Sequence, residues 1–499
     1  MPNLLDPVTR HAAASPARIA LRTDTEPWTY ADLYDASLRY AGALSAEGLG
    51  TGDRVLLVAP SLPEFVVAYM GIQALGGIVV TVNTMSTAAE IEYYLTDSGT
   101  RLVIGWHGLG TAVADVARAV GIPHWFLRPG ARVDAAQIPV VVDRPATDTA
   151  AILYTSGTTG KPKGAQLTVG NLLAAGEIAS TVGRATAADR TGTGLPLFHV
   201  FGQASVMMST FTSGGSLSLL GRFTPDGMID MMRRDDLTMM VGVPTMWNAM
   251  LHAAGDADAA DFAHLRVAVS GGASLPGEIA RSFEARFGCT ILEGYGLTET
   301  TALGTFNDVD RGGKIGFVGG AVPRLEVEIR DPKGSPCPAG TVGEVYIKGE
   351  TVMKGYWNRP DATAAAITTD GWFRTGDLGE FDTDNDLRIV DRLKDLIIRG
   401  GYNVYPGEVE EVLYQHPDII EAAVVGVPDD HYGEEVMAVV TRRPGSEVTD
   451  QEIEAWSREK LSAYKIPRIV RFVDQLPKGA TGKILKRDID RNDPRKASA

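Results

Sequence analysis

At 499 residues the chain exceeds one ordinary hydrophobic core, and its length suits about three domains or subdomains. With 44% hydrophobic and 22% charged residues it has the composition of a globular fold, which excludes a long disordered or low-complexity chain. The net charge of −15 argues against nucleic acid or an anionic membrane surface as a partner, so any phosphate ligand has to be held by local donors.

The N-terminal stretch MPNLLDPVTRHAAASPAR shows no signal-peptide pattern, and Cys289 and Cys337 are the only cysteines. Disulfides are therefore not expected, and the chain reads as cytoplasmic. In TYADLYDASLRYAGALSAEGL, Thr29 and Asp32 have capping-box spacing, and Leu33, Tyr40 and Leu44 share one helical face. The strand RVLLVA follows. FVVAYMGIQALGGIVVTV, residues 65–82, is long and apolar enough to imitate a membrane span. Pro63 in front of it and Gly76-Gly77 inside it predict instead a buried helix and then a buried strand from Ile78 to Val82. A helix over Ala88 to Leu95 and the strand RLVIG continue the βαβ rhythm of a parallel sheet covered on both faces. Ligands of such sheets bind in loops at strand ends.

Behind the apolar run from Ala150 to Leu153 stands YTSGTTGKPKG, residues 154–164. Its glycines permit tight turns whose N–H groups converge on an anion, its Ser and Thr residues add hydroxyls, and Lys161 and Lys163 add charge. The pattern suits a polyphosphate cradle. It is not a kinase-type P-loop, because Gly157 and Gly160 are three apart and Pro162 follows Lys161. A second α/β stretch runs through LTMMVGVPTMWNAM and LRVAVSGGASLPGEIARSF. Alternation in EVEIRDPKGSPCPAGTVGEVYIKG predicts an antiparallel β subdomain. From Asp395 onward, strands and amphipathic helices such as GEVEEVLYQHP and DQEIEAWSREKLSAY predict a separate domain of about 100 residues.

YTSGTTGKPKG resembles the phosphate-loop signature of the adenylate-forming superfamily, which includes acyl-CoA synthetases, peptide-synthetase adenylation domains and beetle luciferases. Further segments follow in that family's order: LPLFHVFG (195–202), VGVPTMW (241–247), SGGASL (270–275), GYGLTET (294–300), GWFRTGDLG (371–379), DRLKDLIIRGGYNVYPGEVE (391–410) and ATGKILKR (480–487). The likeness spans nearly the whole chain and is greatest to a fatty acyl-CoA synthetase. It implies an α/β fold: a large N-terminal domain, residues 1–393, with two mostly parallel α/β subdomains and a β subdomain, and a small mobile α+β domain, residues 394–499. Val169 and Ala480 depart from common residues of the family's motifs without removing a group that does chemistry.

By that resemblance the cofactors are ATP, Mg²⁺ and coenzyme A. Thr155, Ser156, Gly157, Thr158, Thr159 and Lys163 would surround the β- and γ-phosphates. Glu299 would ligate Mg²⁺, a hard cation suited to carboxylate and phosphate oxygens, with Thr298 near the α-phosphate. Tyr295 would stack on adenine, and Gly271, Gly272 and Ala273 would admit its edge. Asp377 would accept the ribose hydroxyls and Arg392 would donate to the sugar. Lys483 would be the catalytic lysine bridging carboxylate and α-phosphate. Lys394 would be the hinge about which the small domain swings, bringing Gly400 and Gly401 to line the pantetheine path.

The implied reaction is formation of acyl-AMP and pyrophosphate, then of acyl-CoA and AMP. The alternative is a stand-alone ligase that loads the acid onto a carrier protein. Residues 195–210 contain no acidic side chain to pair with an amino acid, and Gly294 stands where a malonate-type ligase is expected to place Arg. Val200, Phe201, Met207, Met208, Met239, Met240, Met246 and Trp247 then suggest an apolar pocket for a medium- or long-chain fatty acid, with an aryl or polyketide-like acid as competitor. His199 would lie near the acyl carboxylate. The oligomeric state is not legible.

Overall fold

The computed structural model describes residues 2–155, 161–479 and 482–492. Three sheets make up the chain as far as Arg392. A seven-stranded sheet has at its centre Thr149–Thr155, Ile78–Thr81, Arg54–Val58, Leu102–Trp106 and His124–Leu127, all parallel. Lys163–Thr168 and Gly355–Tyr356 extend it antiparallel at one edge. Its inner strands are buried on both faces, which is why they read as continuous apolar runs.

A nine-stranded sheet places Val267–Ser270, Met239–Gly242, Arg190–Thr193 and Ser216–Leu219 parallel at its middle, with Ile291–Tyr295 beside Val267–Ser270. The early strand Ile19–Arg22 joins this sheet rather than the first. Chain order therefore does not separate the two α/β layers cleanly. Leu325–Arg330, Gly343–Gly349, Phe373–Phe381 and Leu387–Arg392 form the expected antiparallel sheet. Sheet membership changes between Arg392 and Ile397: Ile397–Arg399, Tyr402–Val404, Ile419–Asp429, Gly433–Arg442 and Ile469–Phe472 build a fourth sheet, packed by the helices Pro406–Tyr414 and Asp450–Lys460. The result is a mixed α/β fold with parallel sheets and a separate C-terminal domain.

Local sequence accounts for much of this. Thr29 accepts from the Asp32 amide while Asp32 accepts from Thr29, and the helix Tyr30–Ala46 buries Leu33, Tyr40 and Leu44 together. The apolar stretch 65–82 forms the buried helix Pro63–Ala74 and the strand Ile78–Thr81. Among the described residues no helix is long and apolar enough to cross a membrane.

The C-terminal lobe docks on the nine-stranded layer. The Glu411 carboxylate accepts the Gly277 N–H at 3.2 and 3.3 Å, the first amide of the helix Gly277–Phe287, whose own N-cap residue, Pro276, has no capping side chain. Asn248 donates to the Ile420 carbonyl at 3.3 Å. Gly482, at φ +81°, sits against Thr245: a Cβ there would lie 2.5 Å from the Thr245 hydroxyl. Glu411→Ala should remove roughly 1 kcal/mol of capping. Hydrogen exchange should then quicken several-fold in peptides covering Gly277–Phe287 and residues 482–485, with exchange in the seven-stranded sheet unchanged.

Candidate active site

Strand ends and loops of both lobes supply the candidate residues. Asp377 and Arg392 are directly paired across the strands Phe373–Phe381 and Leu387–Arg392, so antiparallel register brings together residues that sequence separates. Arg392 Nε lies 3.3 Å from Asp377 Oδ1, and the Tyr295 hydroxyl donates to Asp377 Oδ2 at 2.6 Å. Asp377 is only 5% exposed, and burial raises its carboxyl pKa against the opposing pull of Arg392, Tyr295 and Lys483. Desolvation and the Asp377 charge keep Tyr295 protonated as a donor.

Lys483 arrives from the small lobe. Its turn is closed by hydrogen bonds from Gly479 N to Lys483 O and from Gly482 N to Gly479 O, and the bridge between Lys478 and Ile484 holds its base. Desolvation, and after it the charges of Arg392 and Lys394 against those of Asp377 and Asp395, lowers the Lys483 ammonium pKa to about 8. His199 is half-buried. Desolvation, reinforced by the Lys483 charge, lowers its pKa to about 4, so the ring is neutral near pH 7. Its Nδ1 accepts the Phe201 N–H at 3.3 Å, which places the imidazole proton on Nε2.

Glu299 stands in the 3₁₀ turn Thr298–Thr300, buried to 8% exposure. Its Oε1 accepts the Thr155 hydroxyl at 3.1 Å and the Tyr356 hydroxyl at 2.9 Å. Among the described residues no hydroxyl is directed at Oε2. A carboxylate with one oxygen fixed and, among the described residues, the other unclaimed suits a hard divalent cation such as Mg²⁺. Lys163 lies with its ammonium 5.2 Å from the Tyr356 ring centroid. Asp382, Asp384 and Asp386 also cluster, but the Lys314 ammonium is bonded to Asp382 and Asp384 and Arg311 pairs with Asp386, so side-chain cations already offset most of that charge.

Gly271 ends the strand Val267–Ser270, and a Cβ on it would lie 3.0 Å from the Phe201 ring; a Cβ on Gly294 would lie 3.0 Å from the Phe306 ring. Two half-buried aromatic rings thus rest directly on glycine backbone. Gly272 and Ala273 are exposed beyond this strand end.

The structure groups Thr155, Glu299 and Lys163 around Tyr356, and Tyr295 and Arg392 around Asp377, with Lys483 and His199 linked to that group by the electrostatic influences above. Ser156, Gly157, Thr158 and Thr159 lie outside the described residues. Lys394 is exposed between the last strand of the antiparallel sheet and the first of the C-terminal one, while Gly400 and Gly401 are exposed at a hairpin end beside Tyr432. Four of the residues expected to line an apolar pocket have no exposed surface among the described residues. Met207 and Met208 are fully buried in the first core, and Met240 and Trp247 pack with Phe283 and Phe287 in the second. Their apolar spacing is that of strand and helix faces turned to the interior. Tyr356 was missed because KGYW carries no chemical signature and meets Glu299 across 57 residues.

A family model described as AMP-binding enzyme matches residues 8–357, and one described as AMP-binding enzyme C-terminal domain matches residues 408–483. The chain belongs to this AMP-binding, adenylate-forming enzyme family. It is 37% identical to a feruloyl-CoA synthase of Amycolatopsis over 97% of both chains. It is 33% identical to a long-chain-fatty-acid–CoA ligase of Bacillus subtilis over 96% of this chain and 92% of the relative. The crystal structure of ATP-bound MatB from Rhodopseudomonas palustris superposes with a TM-score of 0.91 at 34% identity, covering 97% of this chain and 98% of that one.

Competitive labelling of amines, read peptide by peptide by mass spectrometry, should give Lys483 a reactivity midpoint near pH 8. Arg392→Ala should move that midpoint upward, because it removes a like charge.

Proposed function

We propose that this protein is an AMP-forming acyl-CoA ligase for an apolar monocarboxylic acid. The observation that carries the reading is the Lys483 turn seated on Thr245, which sets its ammonium in the electrostatic neighbourhood of His199, Asp377 and Arg392. A carboxylate oxygen of the acid attacks the α-phosphorus of ATP. The bond to the bridging oxygen breaks, and pyrophosphate leaves with the electron pair. Lys483 meets the charge that builds on the attacked phosphorus, and the neutral Nε2–H of His199 donates to the acid. Lys163 and Thr155 hold the outgoing phosphates with residues 156–160. Glu299 would hold Mg²⁺, which would supply charge neutralisation on the phosphate oxygens. Tyr295 supports adenine, and Asp377 with Arg392 receives the ribose.

The small domain starts at Lys394, and rotation about that residue carries Lys483 away and brings the Gly400-Gly401 hairpin to the cleft. The thiol of CoA then attacks the acyl carbonyl. AMP leaves with the electron pair, and the thiol proton passes to solvent. For the acid we favour a flat, aryl-bearing acyl group over a long alkyl chain. The methionines that would have lined an alkyl tunnel are spent in the cores, whereas the Phe201 and Phe306 rings flank the Gly271 and Gly294 backbone. The likeness to a feruloyl-CoA synthase points the same way.

The test is product analysis by mass spectrometry with ATP, Mg²⁺ and CoA across benzoate, hydroxycinnamates, octanoate and palmitate. Aryl acids should give acyl-CoA with the highest kcat/KM. Lys483→Ala should slow acyl-AMP formation by about 10²- to 10³-fold, while conversion of supplied acyl-AMP to acyl-CoA stays within about 3-fold. Acyl-AMP that accumulates without reaching CoA would overturn the ligase and point to a carrier protein.

A further inference from the structure

We propose that Tyr356 is a positioning residue for the nucleotide site: its hydroxyl fixes the Glu299 carboxylate so that Oε2 faces the metal, and its ring keeps the Lys163 ammonium apart from that carboxylate. The inference rests on the metal role assigned to Glu299 above.

Three observations meet at this side chain. First, Tyr356 and Thr155 both donate to the same oxygen of Glu299, at 2.9 and 3.1 Å. Two donors on Oε1 set the carboxylate plane and leave Oε2 as the oxygen to be presented to a cation. Outer-shell partners of metal ligands commonly act in this way. Second, the Lys163 ammonium lies over the same ring, 5.2 Å from its centroid. An ammonium and a carboxylate that share one neighbour are lost to phosphate and metal alike if they pair with each other. The ring attracts the cation through its π face and sends its hydroxyl to the anion, so the two charges share a neighbour without contacting each other.

Third, the backbone around Tyr356 is a strap tied to both partners. Met353 N donates to the Glu299 carbonyl at 2.8 Å, and the Thr301 hydroxyl donates to the Thr351 carbonyl at 2.7 Å, fastening the strap to the turn that carries Glu299. Lys354 N donates to the Gln166 carbonyl and Trp357 N to the Gly164 carbonyl, fastening it to the strand that begins at Lys163. Tyr356 N donates to the Thr363 hydroxyl at 2.9 Å, which fixes the residue itself. The side chain therefore spans two elements whose separation its own backbone sets.

Tyr356→Phe keeps the ring, the strap and the Lys163 contact, and deletes only the hydroxyl. In isothermal titration calorimetry its Kd for ATP with Mg²⁺ should rise about 10-fold, while its Kd for ATP in EDTA stays at the wild-type value. In the pyrophosphate-exchange assay the Mg²⁺ concentration for half-maximal rate should rise by a similar factor, with kcat at saturating Mg²⁺ within about 3-fold of wild type. An unchanged Mg²⁺ dependence in both measurements would overturn the proposal. So would an equal loss of ATP affinity with and without Mg²⁺, because the hydroxyl would then be acting on the fold or on ATP itself. Glu299→Gln is measured alongside. If it shifts the Mg²⁺ dependence and Tyr356→Phe does not, the positioning role alone fails; if neither shifts it, the metal assignment of Glu299 fails as well.

Discussion

Like charges crowd the cleft of a strongly acidic protein, and the rest of the architecture has to hold them there. Burial first, and then the charges of Arg392 and Lys394, depress the Lys483 ammonium, and Asp377 and Asp395 offset this only in part. Docking of the C-terminal lobe therefore does not rest on these charges alone. It depends on contacts at the margin: the Glu411 carboxylate on Gly277, Asn248 on the Ile420 carbonyl, and the close seat of Gly482 on Thr245.

Under the proposed chemistry this tension has a direction. A nucleoside triphosphate brings the negative charge that the cations lack, so its binding favours the docked lobe. Loss of pyrophosphate withdraws most of that charge and restores the repulsion. The same electrostatics that stabilise the first step then favour departure of Lys483 before the second. Neutral His199 fits this pattern, because burial and the Lys483 charge both disfavour a further cation there.

Much of the fold is legible in sequence where a signal is local. Thr29 with Asp32 marks a helix start, Pro63 opens a buried helix, and the alternation on either side of residues 331–342 marks an antiparallel pair. The site is legible where motifs carry it, as with Glu299 in GYGLTET or Lys483 in ATGKILKR. The pairing of Asp377 with Arg392 has its cause in strand register, which neither motif states by itself. The methionines misled because apolar periodicity tells that a face is covered and not what covers it; interior packing claims Met240 and Trp247. Tyr356 and Glu411 were silent because their partners lie 57 and 134 residues away, and only the folded chain brings them together.

Capping of the helix Gly277–Phe287 from the other lobe has one more consequence. Its first turn is complete only while Glu411 is in place, so undocking exposes a partial positive charge and frees an amide at a site remote from the nucleotide. These eleven residues thus act as a built-in gauge: a spectroscopic label in that turn would register the position of a domain that starts more than a hundred residues downstream.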